Sequence, residues 1–394
     1  MLLVLACVGL VAVANGLRPF RWTPLVVPSF FAAWLTVELA PQLLVLTAVV
    51  TVVLTLTVGV SWLGLLVTAL VAAGLLMMVR MSEQAAHAAD EALSAWPEPI
   101  DPADPRAGGL RRFFRPMSFK HPDVTRTVDI AYGDLPRQKL DVYQPREAVT
   151  GAPTLLQVHG GAWVIGDKKE QGRPLMNHLV ARGWVCFAPN YRLSPKATWP
   201  DHLIDVKRAI AWVREHGAEY GADPGFLVLT GGSAGGHLTS MCALTQNDPQ
   251  WQPGFEDADT SVTACIPYYG VYDLSGETGT TAATVREKRL LAKLVMKTRD
   301  KDVYKQASTL THVNADAPPF FVIHGRNDTL VPVEEARLLV ERLRAVSSNP
   351  VLYLELPGTE HAFDVFPSIR SDHVVAAVGR FCQLLRAGAG RPSS

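Results

Sequence analysis

The sequence predicts an α/β fold built on a mostly parallel central sheet, preceded by an N-terminal membrane-helical region. Three observations carry this prediction. From about residue 126, short apolar runs alternate with amphipathic stretches, the rhythm of strand–helix–strand units whose sheet is covered on both faces. The first 79 residues carry only Arg18, Arg21 and Glu38 as charged groups. Glycine-rich and polar clusters directly follow several of the apolar runs, where open α/β sheets gather their active-site groups.

The N-terminal region contains four apolar stretches: Leu2–Ala14, Leu25–Ala40, Leu43–Val58 and Trp62–Val79. A helix needs roughly 20 apolar residues to cross a bilayer, and the last two stretches approach that length without a charge. The second contains Pro28 and Glu38, which suit a re-entrant or interfacial segment. Ala12-Val13-Ala14 resembles a signal cleavage site, but no basic segment precedes it and further apolar stretches follow, so the chain is anchored on either reading. A multi-pass plasma-membrane protein is expected, with membrane lipid as a partner. Arg18 and Arg21 follow the first stretch, and Arg80, Arg106, Arg111, Arg112 and Arg115 follow the last. If three stretches span and Leu25–Ala40 does not, the positive-inside rule places both groups and the catalytic unit in the cytoplasm. If all four span, the two groups lie on opposite faces and the catalytic unit lies outside. The sequence leans to the first arrangement.

Ser82–Ala95 continues as helix, and Pro97, Pro99, Pro102 and Pro105 then break it. Beyond residue 126, strands are expected at Thr127–Ala131, Leu140–Tyr143, Thr154–Val158, Val185–Ala188, Phe226–Leu229, Val262–Pro267, Phe320–Ile323 and Val351–Glu355. Helices are expected at Asp201–His216, Val333–Val346 and His373–Leu385. The organisation is therefore membrane-anchoring helices over 1–80, a helix and Pro/Arg-rich linker over 81–125, and a catalytic unit over 126–394 with a cap insertion near 275–313. A chain starting near Arg106 is expected to fold as a soluble, active enzyme.

The 394 residues include 37 basic and 37 acidic side chains, so no electrostatic footprint for nucleic acid exists and none is expected as a partner. Cysteines at 7, 186, 242, 265 and 382 show neither metal-ligand spacing nor a disulfide framework. Cys186 and Cys265 fall in strand-like runs and read as small buried hydrophobes. No metal or organic cofactor is implied.

Gly231-Gly232-Ser233-Ala234-Gly235 fits G-x-S-x-G between a strand and a helix, the context that makes the motif meaningful. The sharp turn projects the Ser233 hydroxyl above the sheet, and the helix N-terminus favours negative charge developing there. His159-Gly160-Gly161-Ala162-Trp163 follows the strand Thr154–Val158. Its Gly160 and Gly161 N–H groups, with that of Ala234, are candidate donors to a tetrahedral oxyanion. A serine hydroxyl needs an imidazole to take its proton and a carboxylate to orient the imidazole. Asp328 in His324-Gly325-Arg326-Asn327-Asp328 and His361 in Pro357-Gly358-Thr359-Glu360-His361 stand just beyond two sheet strands, in the chain order Ser, Asp, His. Asp364, Glu360, His312 and His237 are the rivals for these roles, and His159 is expected to brace its loop.

These segments, with Asn190-Tyr191-Arg192-Leu193-Ser194, resemble the hormone-sensitive-lipase-like α/β-hydrolases over residues 125–387. The H-G-G-x-W form, with Ala162-Trp163 where many relatives carry a third glycine, resembles the branch of carboxylesterases and aryl formamidases. Apolar segments ahead of such a domain resemble the membrane-anchored Lip-type esterases of actinobacteria. The resemblance implies an α/β-hydrolase fold and a serine carboxylesterase or lipase that acts on small-molecule or lipid esters through an acyl-serine intermediate. Formamide cleavage and acyl transfer to another acceptor use the same three residues and stay open. A membrane scaffold on an inactive hydrolase fold is the non-enzymatic alternative, against which the intact Ser, Asp and His argue. Oligomeric state is not legible.

Overall fold

A computed structural model describes residues 1–21, 24–96, 121–276, 279 and 291–389. The proline linker at 97–105, the arginines at 106–115 and most of the centre of the expected cap lie outside the described residues.

Among the described residues, four helices precede the sheet: α1 (Leu2–Leu17), α2 (Val26–Glu38), α3 (Ala40–Val58) and α4 (Trp62–Leu93). Leu39 separates α2 from α3, and Pro41 stands in the first turn of α3, where its missing N–H costs nothing. Gly59–Ser61 turns the chain back into α4, and Ser61 Oγ caps it by accepting from Gly64 N. α3 and α4 are long and apolar enough to cross a membrane. Among the side chains left exposed are Val45, Leu46, Val49, Val52, Val53 and Leu56 on α3 and Trp62, Leu63, Leu66 and Leu70 on α4.

Small residues set how these helices pack. A Cβ added to Gly64, Gly74 or Gly16 would meet Leu2, Val13 or Met78 respectively. The pairs advance together along both chains, so α1 and α4 run parallel at close range, the approach that glycine permits between apolar helices. Val13, Val37, Ala40, Val71, Leu75 and Met78 fill the space between them.

α4 passes through the expected boundary at residue 80 as one 32-residue helix, about 48 Å long at 1.5 Å per residue. Its last turns belong to the hydrolase core. Ala85, Ala89, Ala92 and Leu93 are buried among Leu175, Leu179, Val374, Val378 and Phe381.

The sheet contains β1 (Val124–Ala131), β2 (Lys139–Pro145), β3 (Ala152–Val158), β4 (Val185–Pro189), β5 (Ala222–Gly232), β6 (Ala264–Tyr268), β7 (Phe320–Gly325) and β8 (Val351–Leu356). Their order is β1-β2-β4-β3-β5-β6-β7-β8. β1 and β2 pair antiparallel, β2 meets β4 antiparallel, and every later pairing is parallel. Further helices among the described residues are α5 (Arg173–Val180), α6 (Asp201–His216), α7 (Ala234–Leu244), α8 (Lys301–Ala307), α9 (Val333–Val346) and α10 (Ile369–Ala389). α6, α7 and α9 bury one face of the sheet, while α5, α10 and the end of α4 bury the other. β3 and β4 are buried at every position, as a two-sided parallel sheet requires.

The expected strands are all present, with ends shifted by at most four residues. α5 was not anticipated, since eight residues give too little periodicity to register. The described parts of the expected cap are short helical turns at Leu291–Val295, α8 and Thr309–His312. All five cysteines are free, and Cys186 and Cys265 are buried as expected.

Candidate active site

β5 ends at Gly232 and α7 begins at Ala234, so Ser233 alone makes the turn between strand and helix. It does so at φ 58°, ψ −120°, a conformation costing a side-chain-bearing residue roughly 1–3 kcal/mol. Its neighbours hold it there. Ser233 N donates to Tyr268 O at 3.0 Å, and His237 N donates to Ser233 O at 3.0 Å. The surrounding glycines are explained by contact. A Cβ on Gly235 would stand 2.2 Å from Val158 O, and one on Gly160 would stand 2.6 Å from Gly232 O and 3.1 Å from Ser233 Cβ. The two glycine-rich segments, far apart in the sequence, therefore lie directly against each other.

The three expected oxyanion donors do not stand alike. Gly160 N already donates to Gln171 Oε1 at 2.7 Å. Gly161 N and Ala234 N have no acceptor among the described residues, and Ala234 opens α7, where the N–H is left over by the helix itself. Gly161, Ala162 and Trp163 all have positive φ, which folds the loop tightly back over β3.

Beyond β7 and β8, the Asp328 and His361 side chains meet. His361 Nδ1 donates to Asp328 Oδ2 at 2.6 Å. Asp328 Oδ1 accepts from Leu330 N and Val331 N, and His324 Nε2 lies 3.2 Å from Oδ2. Burial would raise the Asp328 pKa, but the His361 imidazole and the hydrogen bonds from His324 and His361 outweigh it and hold the carboxyl well below its usual range. Asp328 is thus a fixed carboxylate that leaves His361 Nε2 as the free ring nitrogen.

The rivals are occupied elsewhere. Asp364 accepts from Tyr269 Oη. Glu360 is buried and accepts from Thr329 N and His361 N, and burial, reinforced by Asp328, pushes its pKa up to about 7. His237 Nε2 donates to Ala307 O, His312 Nε2 donates to Gln306 O, and His159 Nδ1 donates to Gly160 O while its ring stacks on Tyr191. Burial pushes the pKa of both His159 and His237 down to about 4, which makes them poor proton acceptors.

Sequence reasoning missed four participants. Gln171 ties down the Gly160 loop, and His324 supports Asp328. Phe30 and Trp34 come from α2: the Phe30 ring stands edge-on to the His361 ring at 6.2 Å, and Trp34 Nε1 donates to Ala362 O at 2.9 Å. The only signal in the sequence was Glu38, a lone acid in an apolar tract. It is buried against Arg370 Nη1 and accepts from Ser368 Oγ at 2.6 Å. Among the described residues no group of three His, Cys, Asp or Glu side chains is arranged to hold a metal.

A family model described as BD-FAE matches residues 140–343. The chain is 47% identical over 342 residues to the probable carboxylic ester hydrolase LipM of Mycobacterium tuberculosis, covering 82% of this chain and 77% of that protein. It is 41% identical over 297 residues to the esterase LipC of the same organism, covering 74% and 71%. The LipM match is longer than the hydrolase unit, so it takes in part of the N-terminal helices. The butyrate-bound esterase Est2 of Thermogutta terrifontis superposes with a TM-score of 0.56 at 26% identity, over 69% of this chain and 97% of that one.

Proposed function

The chain belongs to the BD-FAE family and carries the α/β-hydrolase fold, and from that premise we propose how it works as a serine carboxylesterase. Its activity is carboxylic ester hydrolysis, and its substrate is an ester. Ser233 is the nucleophile, His361 the general base and Asp328 the residue that orients it. The observation that carries this reading is the 2.6 Å hydrogen bond between His361 and a fully buried Asp328, and the held positive φ of Ser233 on the strand-to-helix turn supports it.

Asp328 fixes the proton on Nδ1, so Nε2 can accept the Ser233 hydroxyl proton as Oγ attacks the acyl carbonyl. The oxyanion is met by Gly161 N and Ala234 N at the head of α7. Gly160 can join them only by releasing Gln171, so its role here is to let the loop approach Ser233. The imidazolium then protonates the leaving alcohol, and water attacks the acyl-serine by the same route to release the acid. Labelling by a fluorophosphonate tests the assignment. Ser233→Ala is expected to abolish labelling and to lower kcat/KM on a short ester by at least about 10⁴-fold in a folded protein. A labelled, active variant would remove Ser233 from the role.

We further read the N-terminal region as a membrane anchor in which α1, α3 and the first part of α4 span and α2 does not. Leu17 O at the end of α1 accepts from Asn327 Nδ2, and Met81 of α4 lies against Gly358. Arg18, Arg21 and Arg80 therefore sit on the side of the hydrolase unit, which supports a cytoplasmic catalytic domain. Digestion of that domain by protease added outside intact cells would reverse the orientation. Lipid esters are the natural substrates for an enzyme so placed.

A further inference from the structure

α2 has two apolar faces with different surroundings. Val26, Phe30, Ala33 and Val37 are buried, while Val27, Phe31 and Leu35, spaced four residues apart, are exposed. The buried side is docked on the segment that carries His361. Trp34 donates to Ala362 O and its ring stacks on Phe366 at 4.5 Å. Glu38 is held by Ser368 and Arg370, with both ends of the ion pair buried. This registers the helix at two points a turn apart and brings the Phe30 ring edge-on to the His361 ring. The His361 ring is flanked by Phe30 at 6.2 Å and by Tyr269 at 4.4 Å, and it is 4% exposed.

We propose that Phe30 is a specificity-determining residue that forms an apolar wall for the alcohol portion of the ester, so that the enzyme favours esters of lipophilic alcohols. The proposal rests on the assignment of His361 as the base. In acyl-enzyme formation, the imidazole that took the Ser233 proton returns it to the departing alkoxide oxygen. The leaving oxygen, and with it the start of the alcohol portion, must therefore lie beside the imidazole, while Gly161 N and Ala234 N hold the carbonyl oxygen. A wall on the histidine's flank touches the alcohol. The opposite face of α2 carries the exposed stripe Val27, Phe31 and Leu35, which is turned away from His361. Trp34 and Glu38 are positioning residues that hold Phe30 in register.

The test uses the full-length chain in detergent micelles, with two ester series: butyrates of methyl to octyl alcohol, and p-nitrophenyl esters of acetate to decanoate. In the wild type, kcat/KM is expected to rise with alcohol length. Phe30→Ala should flatten that rise by about tenfold between the ends of the series, through KM more than kcat, because one apolar contact in such a site is worth about that factor. Its acyl-length profile should keep its shape. Phe30→Leu should restore most of the alcohol dependence, and Leu35→Ala, on the outer face, should retain it. An unchanged alcohol profile in Phe30→Ala would overturn the wall, as would a change confined to the acyl series or an equal flattening in Leu35→Ala. Fluorophosphonate labelling of wild type and Phe30→Leu is run alongside. Labelled enzyme with an unaltered profile sinks the wall alone, whereas an unlabelled wild type sinks the Ser233 and His361 assignment and the wall with it.

Discussion

At the scale of single residues, the two carboxylates near His361 are separated by their hydrogen bonds. Asp328 takes Nδ1–H of the imidazole and two backbone N–H groups, while Asp364 takes the Tyr269 hydroxyl. Replacing Asp328 by asparagine presents an amide that favours the wrong imidazole tautomer, so kcat/KM should fall by roughly 10⁴. Asp364→Asn keeps an acceptor for Tyr269 and should cost far less. The ranking of the two variants on one ester checks the assignment, and the reverse order would exchange their roles. Ser233, Asp328 and His361 were singled out in the sequence because each follows the end of an apolar strand. The bond from the His361 N–H to Glu360 is local, but the burial of Glu360 was not legible, because its other partner, Thr329, reaches it only when β7 and β8 lie side by side.

At the scale of elements, α2 and α9 each carry a buried acid. Glu38→Ala leaves Arg370 buried without its counter-ion, which typically costs about 3–5 kcal/mol. A lowered midpoint of thermal inactivation in detergent is expected, and an unchanged midpoint would show that α2 is not anchored by the pair. On α9, Glu335 accepts from Tyr272 N and Asp273 N, yet burial pushes its pKa up to about 8 against an ordinary 4.5. A raised carboxyl pKa means that the folded state prefers the protonated form. Its favourable contribution is complete below about pH 4.5 and is lost as pH rises to about 8. Glu335→Gln keeps an acceptor and cannot ionise, so the fall in melting temperature across that window should be shallower in the variant. Parallel profiles for the two proteins would exclude Glu335 as the source.

At the scale of the whole molecule, the N-terminal helices are continuous with the enzyme. α4 enters the hydrolase core through Ala85, Ala89, Ala92 and Leu93, Arg380 pairs with Asp90, and α2 lies over His361. A chain begun near Arg106 would expose the apolar side of α10 together with Phe366 and the unpaired Arg370. It is expected to be insoluble or inactive, contrary to the sequence-based expectation that the hydrolase unit stands alone. Expression of that fragment beside the full-length chain in detergent decides the matter, and a soluble fragment of undiminished activity would return the helices to the role of a simple anchor.

The sequence by itself determined the strand–helix alternation, the apolar N-terminal tract and the residues that end up at the ends of β5, β7 and β8. These are local properties: a two-sided strand is apolar throughout, an elbow needs glycines, and polar groups stand where strands stop. It also singled out the glycine-rich loop whose Gly160 packs against Ser233. Only the tertiary structure decided which N–H groups stay free, because the acceptor that takes Gly160 comes from Gln171 in another segment. Only it could bring Phe30 to His361 and Glu38 to Arg370, more than 300 positions away. Apolar periodicity is the same whether a helix faces lipid or a catalytic ring, and the difference lies in what the rest of the chain folds against it.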